Sequence, residues 1–474
     1  MLKKIILLWL VFVVFTSKAQ SAPDVRNSTH VYGSNAISTL GSARYIGMGG
    51  AMGAIGGEIS ASNINPAGTG VYITGDFFGS MYINSYRNTS TLHGNSVSYT
   101  KNFSNLGQIG GVISFPIVDG KWKFVNVGFN YTEQDLDNYV ETGPSRNIGE
   151  NVTNRIDKPN LQDMVRFNGH EYSMNGSLSK INISMGANYE NKMYLGFGIN
   201  LHSSDFYQGD SYELIYDSDN KVAVYDRQYS PYNELASGTS LSVGAIFKVR
   251  QILRLGVAVE SPIWWNAERE YTEYEKDNSN KIINKSNNRE RNDFSSQARI
   301  TFSSAIIPSK YFAFNVDYSR GFYRPTYIGN ITKSGRELNT YLNNFYQGLS
   351  EFKLGAEYRY SMFRLRGGYS IEENPYKKEA IPSLDSEGIS SRVVYNDLYI
   401  GKRNTLGLGI GFDFKLFYLD IAYQNTFYEY NNPFHRGKYA ADKKIVNEIR
   451  ERDAIVSFVK NKQDNIFVTL GAKF

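Results

Sequence analysis

Apolar and polar side chains alternate residue by residue in segments of about ten along this chain, and that pattern leaves few folds open. In Lys121–Tyr131, Val125, Val127, Phe129 and Tyr131 share one face, and Asn126, Gly128 and Asn130 the other. Ile181, Ile183, Met185, Ala187 and Tyr189 oppose Asn182, Ser184, Gly186 and Asn188. Leu195, Phe197, Ile199 and Leu201 oppose Gly196, Gly198, Asn200 and His202. Leu406–Phe414 and Ile466–Phe474 read the same way. A period of two is that of an extended strand, and about ten residues is the length of a tilted strand crossing a bilayer. The apolar faces carry no charge, as lipid contact requires, since Arg or Lys at mid-bilayer costs about 2–4 kcal/mol.

The connections separate a soluble sandwich from a membrane barrel. Short turns fall near Asp119-Gly120, Asn191-Lys192, Arg250-Gln251, Pro308, Ser361-Met362 and Lys415-Leu416. Polar stretches fall at about 87–96, 132–178, 206–237, 261–296, 320–349, 373–402 and 429–463. Six turns and seven outer stretches imply fourteen strands, with both ends of the barrel sequence on the side of the short turns. That is the pattern of an outer-membrane barrel, with short periplasmic turns and long extracellular loops. Val97–Phe115, which contains Gly107, Gly110 and Gly111, is read as one bent strand. The expected fold is an all-β, 14-stranded antiparallel transmembrane β-barrel over 73–474. The 36 Tyr and 28 Phe suit aromatic girdles at two interfaces.

Lys3 and Lys4, the apolar run Ile5–Phe15 and Ser17-Lys18-Ala19 form a secretory signal peptide over 1–19. The run is too short to span a membrane as a helix. The absence of Cys excludes disulfides and thiolate metal sites, and a net charge of +5 gives no reason to expect nucleic acid as a partner.

Gly41–Tyr72 is rich in Gly and Ala and has no sustained strand or helix period. It is read as part of a hatch, or plug, over 20–72, packed inside the lumen. Its glycines permit left-handed backbone and close packing. Pro66 fixes one bend, and Asn65 can close a turn through its side chain. The segment is either a static cork or a gate. On the lumen face, Arg364 and Arg366 stand side by side and either join an ion-pair network or orient an anionic ligand head group.

Three groups of residues, Gly41-Ser42-Ala43-Arg44, Gly47-Met48-Gly49-Gly50-Ala51 and Asn65-Pro66-Ala67-Gly68, resemble the N-terminal hatch of the FadL-type outer-membrane transporters of hydrophobic compounds. Ile64–Tyr72 is most similar to Bacteroidetes-type members, and the hairpins Phe352–Glu372 and Thr405–Phe427 also look like this family. The resemblance implies passive uptake of long-chain fatty acids or similar lipophiles through the outer membrane of a Gram-negative bacterium. It implies a hatch that moves, with Gly47, Gly49, Gly50, Asn65, Pro66, Ala67 and Gly68 as its gating residues. It also implies a lateral opening near the third strand. Gly128 lies in that strand and either relaxes its pairing or makes room for the hatch. The terminal Phe474 implies recognition by the barrel-assembly machinery.

Catalytic motifs are missing. Met52 occupies the third glycine position of a dinucleotide fingerprint, and Met174 stands where a zinc helix after His170-Glu171 needs a second His. No nucleophile and base converge, so neither an enzyme nor a cofactor is expected. The competing readings are a barrel scaffold or shuttle component of a Bacteroidetes secretion system, and a general diffusion porin. Asn278–Asn292 is either a solvated loop or a Ca²⁺ site.

Overall fold

The structure, a computed structural model, describes residues 31–33, 40–155, 158–227, 230–276, 282–328, 333–434, 439–441 and 453–474. The signal peptide and most of 20–39 lie outside the described residues. Fourteen strands close an antiparallel barrel. They are β1 (Asp76–Leu92), β2 (Asn95–Pro116), β3 (Trp122–Asp135), β4 (Lys158–Tyr189), β5 (Met193–Tyr216), β6 (Tyr232–Lys248) and β7 (Leu253–Glu260). The second half is β8 (Ala298–Ser309), β9 (Phe312–Phe322), β10 (Ser350–Tyr360), β11 (Phe363–Glu372), β12 (Arg403–Asp413), β13 (Phe417–Phe434) and β14 (Ile455–Lys473). Each strand pairs with the next, and β14 closes on β1 from Asp76↔Lys473 to Thr91↔Phe458. The bend expected in β2 is a bulge at Gly107, where the register with β1 shifts between Ser80 and Met81.

An apolar belt rings the end that carries the short turns. Phe77, Met81 and Ile83 of β1, Leu195, Phe197 and Ile199 of β5, and Leu406, Leu408 and Ile410 of β12 are exposed on its outside. In a closed barrel an apolar belt on the outside marks where the strands cross the membrane; among the described residues no helix is long and apolar enough to cross one. Above Ile83 the outward residues of β1 become Ser85, Arg87 and Thr89.

The wall continues beyond this belt. Much of the polar sequence read as loops is strand: β4 is 32 residues long, and Trp264–Lys276 and Ile282–Ser295 form a tall hairpin. The reason lies in what each face meets. Outside, Arg166, Asn168, Glu171 and Ser173 of β4 meet water instead of lipid, while Val165, Phe167, Tyr172 and Met174 stay buried within. Alternation survives while mean hydropathy falls to that of a loop. The helix α1 (Ala43–Gly47) belongs to the lumen, and α2 (Lys333–Phe345) packs Leu338 and Leu342 into the outer half.

One seam interrupts the wall. Pairing of β2 with β3 runs from Pro116↔Phe124 up to Gln108↔Thr132 and stops. Above it the chain turns inward. Asn138–Thr142 pairs with β4 and lies against the lumen face of β1, where Asn88 donates to the Tyr139 carbonyl at 2.7 Å. The upper half of β2 meets this inner segment through side chains: Lys101 and Asp137 pair at 2.6 Å, and Tyr99 packs on Tyr139 at 4.5 Å.

Candidate functional site: the hatch, its seat and the chamber above it

Residues 40–72 fill the belt-level lumen, and nearly all of them are buried. Ser42 caps α1 by accepting from Tyr45 N–H, and Glu58 and Asn65 cap two short 3₁₀ turns, Ile59–Asn63 and Pro66–Val71. Three caps within so short a segment fix its path without a sheet or a long helix. Gly49 and Gly50 have φ of +62° and +74°, which a side chain would strain.

The two hatch motifs rest on two rows of wall glycines. Gly186, Gly196 and Gly244 are directly paired across β4, β5 and β6. An added Cβ at Gly186 would collide with Gly70 nitrogen, at Gly196 with Ala67 nitrogen and the Pro66 carbonyl, and at Gly244 with the Asn65 side chain. Gly355, Gly368 and Gly407 are likewise paired across β10, β11 and β12. There a Cβ would strike the Met48 carbonyl from Gly355 or Gly368, and the Ile46 carbonyl from Gly407. The Asn65–Gly68 motif and the Ile46–Gly50 motif therefore lie backbone-on-backbone against different arcs of the wall. Gly47 itself faces Gly409.

Polar groups complete the seat. Asn65 accepts from Ala67 N–H at 3.0 Å and donates to the Gly53 carbonyl at 2.9 Å. Asn126 donates to the carbonyls of Thr69 and Tyr72 at 2.8 and 2.9 Å. Asp317 accepts from Gly53 N–H at 3.0 Å, and Arg299 donates to the Asn63 carbonyl at 2.9 Å while pairing with Glu260 at 2.6 Å. Glu357 gathers three arginines: Arg44 of the hatch at 3.1 Å, Arg366 at 2.7 Å and Arg359 at 2.5 Å. Such groups are held by mutual neutralisation, because a lone charge there would be costly.

Arg366 also pairs with Asp420 at 2.6 Å, and Arg364 pairs with Asp413 at 3.3 Å. Both line a cavity of about 250 Å³ beneath the hatch, beside Glu58, Asp76 and Tyr418. Five acids and five bases line it, so its charge is balanced. Gly128 sits within regular pairing, opposite Val112 of β2 and Ser184 of β4, and a Cβ there would collide with Ile59 of the hatch. The wall pairing ends four residues further along, at Thr132.

Above the hatch lies an aromatic chamber that the sequence reading did not find. Tyr172, Phe206, Tyr232, Trp265, Phe294, Tyr346 and Tyr376 belong to one buried cluster, with α2 packed against it. All seven come from stretches read as outer loops; only the alternation of buried aromatic with exposed polar residues signals them. The segment 31–33, at the N-terminal side of the hatch, reaches into this chamber, with Val31 and Tyr32 buried in its company.

No protein-family model matches the sequence, and no curated protein matches it. Solved structures do match by fold. One is a FadL homologue from Pseudomonas aeruginosa, at TM-score 0.54 and 11% identity, covering 91% of this chain and 98% of that one. Another is the Ralstonia pickettii toluene transporter TbuX, at TM-score 0.51 and 14% identity, covering 91% and 98%. A third is the Pseudomonas putida toluene transporter TodX, at TM-score 0.51 and 12% identity, covering 91% and 97%. The shared architecture is the closed fourteen-stranded barrel of the FadL type.

Proposed function

We propose that this chain is an outer-membrane channel of a Gram-negative bacterium for passive uptake of hydrophobic small molecules, long-chain fatty acids or similar lipophiles. The observation that carries the reading is the division of one lumen into two parts: an upper chamber lined and filled by buried aromatic side chains, stacked on a backbone-seated hatch. A diffusion porin needs a water-filled lumen, and this lumen is packed at belt level. The structures of like fold include transporters named for toluene.

In this reading cargo enters the chamber from outside, and the hatch moves to release it. Gly47, Gly49 and Gly50, with Asn65, Pro66, Ala67 and Gly68, act as the moving contacts, since apart from the Asn65 side chain against Gly244 they meet the glycine rows largely through backbone. The exit is sideways, through the seam between β2 and β3. Gly128 lies at its foot, and the Lys101–Asp137 pair and the Tyr99–Tyr139 contact bridge it. The seam begins beside Tyr131, where outward residues change from apolar to polar. Arg366 takes the role of anchoring the hatch through Glu357, and Arg364, paired with Asp413, lines its underside beside it. Phe474, bonded through its backbone to Gly75 at the start of the barrel, serves recognition by the assembly machinery.

The test is mass spectrometry of lipid that co-purifies with the detergent-solubilised protein, beside a variant lacking residues 30–70. A stoichiometric acyl or aromatic compound in the intact protein, lost from the variant, is expected. Bulk membrane lipid alone in both would sink the reading.

A further inference from the structure

Tyr32, with its neighbour Val31, enters the chamber from the N-terminal segment and not from its wall. Its partners come from strands more than 200 positions away: Glu234 from β6, Trp265 and Arg269 from the strand Trp264–Lys276, and Phe294 from Ile282–Ser295. The ring stands edge-on to Trp265 at 5.1 Å and tilted to Phe294 at 5.7 Å. Its hydroxyl donates to Oε1 of Glu234, and the Trp265 indole N–H donates to its carbonyl at 3.1 Å. The other Glu234 oxygen is taken by Arg269 at 2.7 Å, and Arg269 lies over the Tyr232 ring at 4.0 Å. The wall thus builds an aromatic slot with an oriented acceptor at its end.

We infer that this slot is a binding site for phenols, planar aromatic rings bearing a hydroxyl donor, and that Tyr32 is its tethered occupant, displaced when such a ligand arrives. The inference rests on reading the barrel as a channel for hydrophobic molecules and narrows the cargo. An aromatic ring gains from the edge-to-face walls. A plain hydrocarbon leaves Glu234 Oε1 buried without the hydroxyl that now meets it, a loss that separates hydroxylated from unhydroxylated rings. Seven residues, 33–39, join Tyr32 to Leu40, so Tyr32 competes with an arriving ligand as an intramolecular occupant.

The test uses a matched pair of probes, 4-methylphenol and toluene, which differ by the hydroxyl. Binding to the detergent-solubilised full chain is measured by titration calorimetry at neutral pH, against the same detergent without protein. A tethered side chain competes at an effective concentration near millimolar, so Tyr32→Ala should bind 4-methylphenol about tenfold or more tightly than the native chain. Tyr32→Phe, which refills the slot but leaves Glu234 open, should fall between the two, and it keeps the test alive if Tyr32→Ala does not fold. In Tyr32→Ala, 4-methylphenol should bind more tightly than toluene, because only its hydroxyl can meet Glu234 Oε1. Equal affinity of native and Tyr32→Ala chains for 4-methylphenol would overturn the inference, as a mere packing staple predicts. So would equal affinity of Tyr32→Ala for the two probes; toluene binding would then leave the channel reading standing without the phenol site. Failure of the channel reading shows separately, as absence of any bound compound from the native protein.

Discussion

The lower and upper halves of this lumen are lined by the same strands and built by opposite means. At belt level the inward residues are small or polar: Gly186, Gly196 and Gly244 on one arc, Gly355, Gly368 and Gly407 on another, with Asn126, Asn182 and Glu357 between. They admit a second backbone and hydrogen-bond to it. Above the belt the inward residues are Tyr172, Phe206, Tyr232, Trp265 and Phe294, which touch one another and leave little of themselves exposed. Outside, the order is reversed, apolar below and polar above. The difference teaches that one period-two pattern serves two solvents. Lipid lets the lower lumen be polar, and water outside moves the apolar face inward.

The sharpest way to break this comparison is to add one methyl group below. In Gly368→Ala the new Cβ meets the Met48 carbonyl carbon and Gly49 nitrogen, both backbone atoms that no rotamer change can move aside. The hatch must lift off its row, while the strands keep their pairing. We expect the variant to remain folded as a barrel but to pass steady current in planar bilayers that the native chain blocks. Gly196→Ala should do the same from the other arc, through Ala67. Native-like current in both would mean that the rows do not seat the hatch. Gly367→Ala is the control, because its Cβ meets no more than the Leu408 side chain at 4.0 Å.

How much of this was legible follows the same division. The fourteen strands could be read because lipid contact writes an unbroken apolar row, as in Leu406, Leu408 and Ile410. The hatch could be read because Gly and Ala without a period fit no other element, though the rows that receive it looked like ordinary small residues in separate strands. Their alignment is a register property, and register between Gly368 and Gly407 across a 30-residue connection is not written locally. The short turn expected near Pro308 is Lys310-Tyr311, just after β8 ends at Ser309. The chamber was missed because its aromatic residues alternate with charged and polar ones, as Tyr172 does with Glu171 and Ser173, and averaging over both faces erases it. Arg364 and Arg366 were read correctly as lumen-facing. The acids they meet, Asp413 and Asp420, lie on neighbouring strands β12 and β13, which sequence distance conceals.

A smaller effect, confined to the upper half, sharpens the comparison from the other side. Leu342 of α2 is fully buried in the aromatic cluster. Leu342→Ala removes that contact and leaves a cavity, a loss of about 2–5 kcal/mol for a site that cannot collapse. Because the helix belongs to the chamber and not to the barrel wall, the cost should appear as faster amide exchange over 333–345. The hatch segment 43–57 should exchange as in the native chain, and bilayer current should stay closed. Simultaneous loosening of hatch and helix would show that the two compartments are one cooperative unit.

The smallest expected effect lies at the outermost edge of the upper half, in the turn that joins Glu379–Leu384 to Ser390–Tyr395. Asp385 accepts there from the backbone N–H groups of Ile389 and Glu387, both at 2.9 Å. Those donors, with Ile389 the larger influence, hold its carboxyl below the ordinary carboxylate range. A carboxylate depressed in the folded state adds stability that is present above the unfolded value, about pH 4, and is lost as pH falls through the folded one. Amide exchange over 379–395, corrected for its intrinsic pH dependence, should therefore quicken slightly below about pH 4 relative to pH 6. In Asp385→Asn, which keeps the acceptor and cannot titrate, the profile should be flat. Acid that loosens 43–57 before this hairpin would reverse the ranking of the two halves, and place the less secure compartment at the hatch.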